Sequence, residues 1–144
     1  MRSHPTLRQL FPPLAALCLL SVWAIGASAQ SPDPVASLRS AKLIYVKSSS
    51  LLVGTSVIEE KLQKRPEFSQ MGLVITRDAD AADLILEVHH DVLTKYVYNA
   101  VDARTKIVVA GGKLSSLGGT VAGKVAKRFL KQVMTARSTA PAKS

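Results

Sequence analysis

The chain's single cysteine, Cys18, lies inside a segment laid out like an export signal, so whatever folds after it must do so without a disulfide. Arg2 and Arg8 form a basic n-region, Leu14–Ile25 an apolar core, and Ala27-Ser28-Ala29 an A-x-A cleavage site. That core falls well short of the roughly 20 residues that a bilayer-spanning helix needs. Residues 1–29 therefore read as a cleaved signal peptide, and the protein as exported, periplasmic or secreted. A lipoprotein signal would place a small residue before its cysteine, and here that residue is Leu17. Cutting near Ala29 leaves 115 of the 144 residues, one small domain held by a single apolar core. It also leaves no thiol nucleophile and no thiolate metal ligand.

Charge is unevenly placed. The net +9 becomes +7 without Arg2 and Arg8. Six of the remaining cations (Lys124, Lys127, Arg128, Lys131, Arg137 and Lys143) follow Val121 with no acidic residue among them. The basicity thus belongs to one C-terminal element.

Residues 30–41 carry Pro32, Pro34 and small polar residues and read as a linker. KLIYVK (Lys42–Lys47) is strand-like, and SSSLLVG (Ser48–Gly54) is a loop exposing Leu51, Leu52 and Val53. In TSVIEEKLQKR, Ser56 and Glu59 have capping-box spacing, and Val57, Ile58 and Leu62 form an apolar side. This predicts a helix that Pro66 ends or kinks before Gly72. Strands follow at Leu73–Arg77 and Leu84–His90, then Thr94–Asp102 and Lys106–Leu114 as a hairpin across a polar turn. Thr120 is placed to cap a last helix running to about Arg137, with Val121, Val125, Phe129 and Val133 on one face. Residues 138–144 read as a loose tail. The order β-α-β-β-β-β-α predicts an α+β two-layer sandwich over residues 42–137, a mixed sheet with two helices on one face.

The strand ADLILEV, the aromatic strand YVYNAVD and the hairpin DARTKIVVAGGK resemble a recurring module of bacterial envelope proteins. In that module an "AD-apolar" strand precedes a strand ending in Asp, a D-x-x-T turn and a closing helix. Ala82-Asp83, Asp102 and Thr105 match the pattern. The module is similar to small lipoprotein-type domains, and more distantly to the N-terminal module of the Tol periplasmic protein and the curli secretion lipoprotein. The resemblance spans most of Lys42–Val133 and implies an envelope assembly or binding role. It brings no catalytic residues, and the missing lipobox departs from the lipoprotein members.

The residue pair His89-His90 invites a metal reading. Successive strand residues face opposite ways, so the two rings do not converge on one ion. Glu87, His89 and Asp91, at i, i+2 and i+4, share a face and could hold zinc or a similar ion. The plainer reading has Leu84, Leu86 and Val88 facing the core and Glu87 and His89 facing solvent. It places His90 at the core-side end of the strand with a satisfied hydrogen bond. Gly118–Lys124 fits the G-x-x-x-x-G-K part of a phosphate loop, but Val125 stands where Ser or Thr would hold magnesium. The glycines read instead as a tight turn at Gly118-Gly119 and close helix packing at Gly123. Tyr96 and Tyr98 share a strand face and read as packing beneath a helix or lining a shallow groove. No G-x-S-x-G elbow occurs, and Glu59 and Glu60 point in different directions, so neither a hydrolase nor an acid–base dyad is expected.

These features predict an exported, non-enzymatic module that needs no cofactor and binds an envelope protein or anionic envelope component. Lys124, Lys127, Arg128 and Lys131 on the last helix, Leu51 and Leu52 in the loop, and the sheet edge are the expected contacts. The alternative is a metal-binding or metal-dependent protein using Glu87, His89 and Asp91.

Overall fold

A computed structural model describes residues 33–116 and 120–139. The expected signal peptide, Cys18, the Gly118-Gly119 turn and the tail from residue 140 lie outside the described residues. The elements are α1 (Pro34–Ser40), β1 (Leu43–Ser48), α2 (Thr55–Gln63), α3 (Pro66–Gln70), β2 (Val74–Thr76), β3 (Leu84–His90), β4 (Lys95–Asp102), β5 (Val108–Ser115) and α4 (Val121–Ser138). The strands form one mixed sheet in the order β2-β1-β3-β4-β5. β1 runs parallel to β2 and β3, and β4 and β5 complete an antiparallel meander. The α+β two-layer architecture is therefore as the sequence predicts.

One face of the sheet carries the core. Ile44 and Val46 on β1, Leu84, Leu86 and Val88 on β3, and Tyr96 and Tyr98 on β4 are buried in strict alternation. The α4 stripe Val121, Val125, Phe129 and Val133 is buried against this layer, as its four-residue spacing requires. On the opposite face Tyr45, Ile85 and Val101 stand in register, half-buried.

Four details correct the sequence reading. The stretch read as a linker contains α1: the Asp33 carboxylate accepts the Val35 N–H (2.9 Å), Pro34 opens the helix, and Leu38 is buried. Arg39 then donates to the carbonyls of Ala136 (3.0 Å) and Thr139 (2.6 Å), where the α4 dipole is negative. The capping box at Ser56 does not form, because α2 starts at Thr55 with Gly54 as its cap. Glu59 is buried and pairs with Arg77 (2.9 Å), while Val57 is exposed. Thr120 caps α4 without a side-chain bond to the helix, its hydroxyl pairing instead with Ser116 Oγ.

The two aspartates of the envelope-type pattern are staples. Asp83 Oδ2 accepts the N–H groups of Lys42 (2.7 Å) and Leu43 (2.9 Å), fixing the start of β1 against β3. Asp102, only 5% exposed, accepts the N–H groups of Arg104 (3.0 Å) and Thr105 (2.8 Å) and shapes the β4–β5 turn. Burial works against its ionisation, but the Thr105 amide, the hydroxyls of Ser37 and Thr105 and the Arg104 amide outweigh it and hold the carboxyl below its usual range. Its stabilisation is complete above the unfolded value of about 3.9 and is lost as the pH falls through the lower folded value. Asp102→Ala should cost about 2 kcal/mol in urea unfolding at neutral pH, the gap to wild type narrowing as the pH falls below about 3.9.

Two glycines on α4 and its partner strand make opposite demands. A Cβ at Gly111 would sit 2.9 Å from the Tyr98 carbonyl and 2.8 Å from Asn99 Oδ1, so the strand must be bare there for β5 to lie against β4. A Cβ at Gly123 would meet nothing within 4 Å, which corrects the expectation that this glycine serves close helix packing. Gly123→Ala should raise stability by about 0.5–1 kcal/mol through helix propensity, and Gly111→Ala should lower it by about 1–3 kcal/mol through overpacking. Thermal and urea unfolding of both variants tests the pair.

Candidate functional site

β1 and β3 are parallel neighbours, so their C-terminal ends lie at the same end of the sheet. Two loops leave from there, residues 49–53 and residues 91–94. The first is fastened by its own serines. Ser48 Oγ donates to the Val53 carbonyl (2.6 Å) and accepts the Ser50 N–H (3.3 Å), and Ser50 Oγ accepts the Leu52 N–H (3.2 Å). Val53 is thereby turned into the core, contrary to its expected exposure, while Leu51 and Leu52 project outward at 102% and 72% exposure. In the second loop, the Lys95 N–H reaches the Val92 carbonyl (2.8 Å) and the Asp91 N–H the Lys95 carbonyl (2.9 Å). This tight turn leaves Val92 and Leu93 at 58% and 83% exposure. Leu93 adopts φ 53°, which costs a branched residue on the order of 1 kcal/mol.

The adjacent histidines bind these loops, one each. His89 Nδ1 pairs with Ser49 Oγ at 2.7 Å, and the Ser49 N–H donates to the Val88 carbonyl (3.0 Å). On the other face of the strand, His90 Nε2 lies 2.5 Å from the Leu93 carbonyl, so that nitrogen carries the hydrogen. The His90 ring leans on Tyr96 with centroids 4.9 Å apart. His90 is exposed rather than partly covered, but its hydrogen bond is made as expected.

The candidate metal set is only partly assembled. Glu87 Oε2 lies 3.6 Å from His89 Nε2, and Glu87 Oε1 lies 3.9 Å from Lys47 Nζ. Asp91 has left the strand and begins the turn. Among the described residues no group of three or more His, Cys, Asp or Glu side chains could hold a metal ion. Ser49, His89 and Glu87 form a row, yet the glutamate is beyond hydrogen-bond reach of the ring, and none of the three lines the cavity at the other end of the sheet. That cavity, about 980 Å³, lies at the far end of the sheet between Asp33, Asp80, Asp83, Asp102, Arg39 and Arg104. Glu59 and Glu60 turn to different partners, Arg77 and Lys64.

The basic residues of α4 divide into two groups. Lys124 Nζ donates to Ser115 O (3.1 Å) and Ser116 Oγ (3.3 Å), Arg128 to Lys113 O (2.5 Å) and Gln132 to Gly111 O (3.0 Å). Four residues of helix rise about 6 Å and two of strand about 6.7 Å, so donors at i, i+4 and i+8 match alternate carbonyls of an edge strand. α4 thus closes the β5 edge, and Lys124 and Arg128 are not simply the open contact surface that the sequence suggested. Gln132 Oε1 also accepts the Tyr98 hydroxyl (3.1 Å), whose pKa is pushed up by burial against the opposing pull of Arg128. Arg137 is likewise occupied, by the carbonyls of Met71 and Ala41. Lys127 and Lys131 make no hydrogen bond or ion pair with the described residues. Lys127 joins Lys61, Arg65 and Lys124 around a groove of about 380 Å³ between α2 and α4.

Sequence reasoning found half of the apolar tip. Val92 and Leu93 were missed because the sequence reading left residues 91–93 as a bare connection between two strands and drew nothing from their apolar character. The signal was the turn spacing between His90 and Lys95.

No helix among the described residues is long and apolar enough to cross a membrane. No family model and no curated protein sequence matches the chain. Among solved structures it is similar to a PelC dodecamer from Paraburkholderia phytofirmans, with 12% identity over 69% of this chain and 90% of that one and a TM-score of 0.39. It is also similar to an uncharacterized lipoprotein B from Nitrosomonas europaea, with 12% identity over 68% and 79% and a TM-score of 0.32. A hemagglutinin homolog from Helicobacter pylori matches with 12% identity over 71% and 87% and a TM-score of 0.29. At these values the likenesses do not extend to function.

Proposed function

We propose that the chain is an exported, non-catalytic binding module of the bacterial envelope, and that the two-loop tip is its contact surface. The carrying observation is the set of four aliphatic side chains, Leu51, Leu52, Val92 and Leu93, on neighbouring loops at one end of the sheet. Surface apolar residues scattered singly need no explanation, but a cluster fixed outward marks a contact. These loops are held by serine hydroxyls and histidine rings, so their side chains are presented at little further ordering cost. The export-type N-terminus supplies the compartment. The absence of catalysis is part of the same reading: both histidines serve as fasteners, and the sequence offers no recognised nucleophile motif.

Cross-linking from a photoreactive group placed at Leu52 in intact cells tests this reading. The expected outcome is a stoichiometric envelope adduct, lipid or protein, that is lost in the double variant Leu51→Ser/Leu93→Ser while the unfolding midpoint stays within about 1 kcal/mol of wild type. His90→Ala should weaken adduct formation in part, because the turn carrying Leu93 loses its tie. An adduct of equal yield in the double variant would overturn the proposal.

A further inference from the structure

Resting on that reading, we infer that the tip docks on a lipid bilayer surface carrying anionic headgroups, with the leucines as the inserting element. Two observations on the molecule point to lipid. The four side chains are aliphatic and stand on protruding turns, with none of the aromatic or arginine anchors that dominate protein interfaces. Within the two loops the N–H groups of Ser50, Leu52, Asp91 and Lys95 are already bonded, which lowers the cost of bringing the turns into an interfacial apolar phase.

The second observation is the set of cations just behind the apolar tips. Lys47 is the penultimate residue of β1, and Lys95 opens β4 directly after the Leu93 turn. Lys95 stands opposite Ser115, whose carbonyl also holds the Lys124 ammonium. Lysines at this depth reach headgroup phosphates while the leucines enter the acyl boundary. Of the nearby acids, Glu87 is turned to Lys47 and His89, and Asp91 is the one carboxylate on the loops themselves.

Vesicle co-sedimentation of the purified protein tests the inference, using phosphatidylglycerol–phosphatidylethanolamine vesicles and phosphatidylcholine vesicles. Binding to the anionic vesicles is expected, with little to the zwitterionic ones. It should weaken as salt rises from about 0.05 to about 0.5 M. Leu51→Ser, Leu52→Ser and Leu93→Ser should each lose about tenfold in affinity, and Lys95→Glu should lose affinity on anionic vesicles only. Lys127→Glu, in the groove between α2 and α4, should leave binding unchanged. Vesicle binding that survives the leucine variants but fails with Lys127→Glu would overturn the inference in favour of the basic helix. Absence of vesicle binding together with a tip-dependent protein adduct at Leu52 would overturn it while leaving the tip as the contact surface. Absence of both would sink the two together.

Discussion

Everything else in the domain hangs on β3. It is hydrogen-bonded along both edges, parallel to β1 and antiparallel to β4, and its core-facing side chains Leu84, Leu86 and Val88 are completely buried. Such a strand cannot slip by one residue without turning its whole apolar set to the wrong face. Its ends are then fixed points from which other elements are tied. At the start, Asp83 holds the first amides of β1. At the finish, His89 and His90 each hold one loop. The alternation that points the two rings to opposite faces is the reason they serve two loops and not one ion.

The sheet's long edge is treated by a different device. β5 spans eight residues and would present a row of bare carbonyls for pairing with another chain. α4 runs beside it and supplies Lys124, Arg128 and Gln132 in their place. Because these donors come from side chains, they satisfy the carbonyls without offering a new edge. The cost is that two cations otherwise suited to an external partner are directed inward. This shifts the candidate contact surface from the basic helix toward the tip, where apolar and basic groups share one end of the molecule.

The succession of the strands along the chain, the α4 stripe and the two-layer sandwich were legible in the sequence because burial periodicity is a local property of each segment. α1 was not read, although Asp33-Pro34 is itself a start signal: seven residues are too few to be helical alone, and the helix is stabilised by Arg39 reaching the end of α4 about a hundred residues away. The capping box at Ser56 misled for the reverse reason. Its spacing is correct, but the helix starts one residue earlier and the buried Glu59 carboxylate turns to the largely exposed Arg77 on the far side of a chain reversal.

The sequence alone determined the fold class, the absence of cysteine after the expected signal peptide, and the outward position of Leu51 and Leu52. Each follows from which residue types occur and how they alternate. Only the tertiary structure decided what the histidines do, where the cations of α4 point, and that Val92 and Leu93 join the first pair of leucines. Those facts depend on the parallel pairing of β1 with β3, which brings together loops some forty residues apart in the chain. No local pattern encodes that distance, because it arises from the hydrogen bonds between strands and not from either strand by itself.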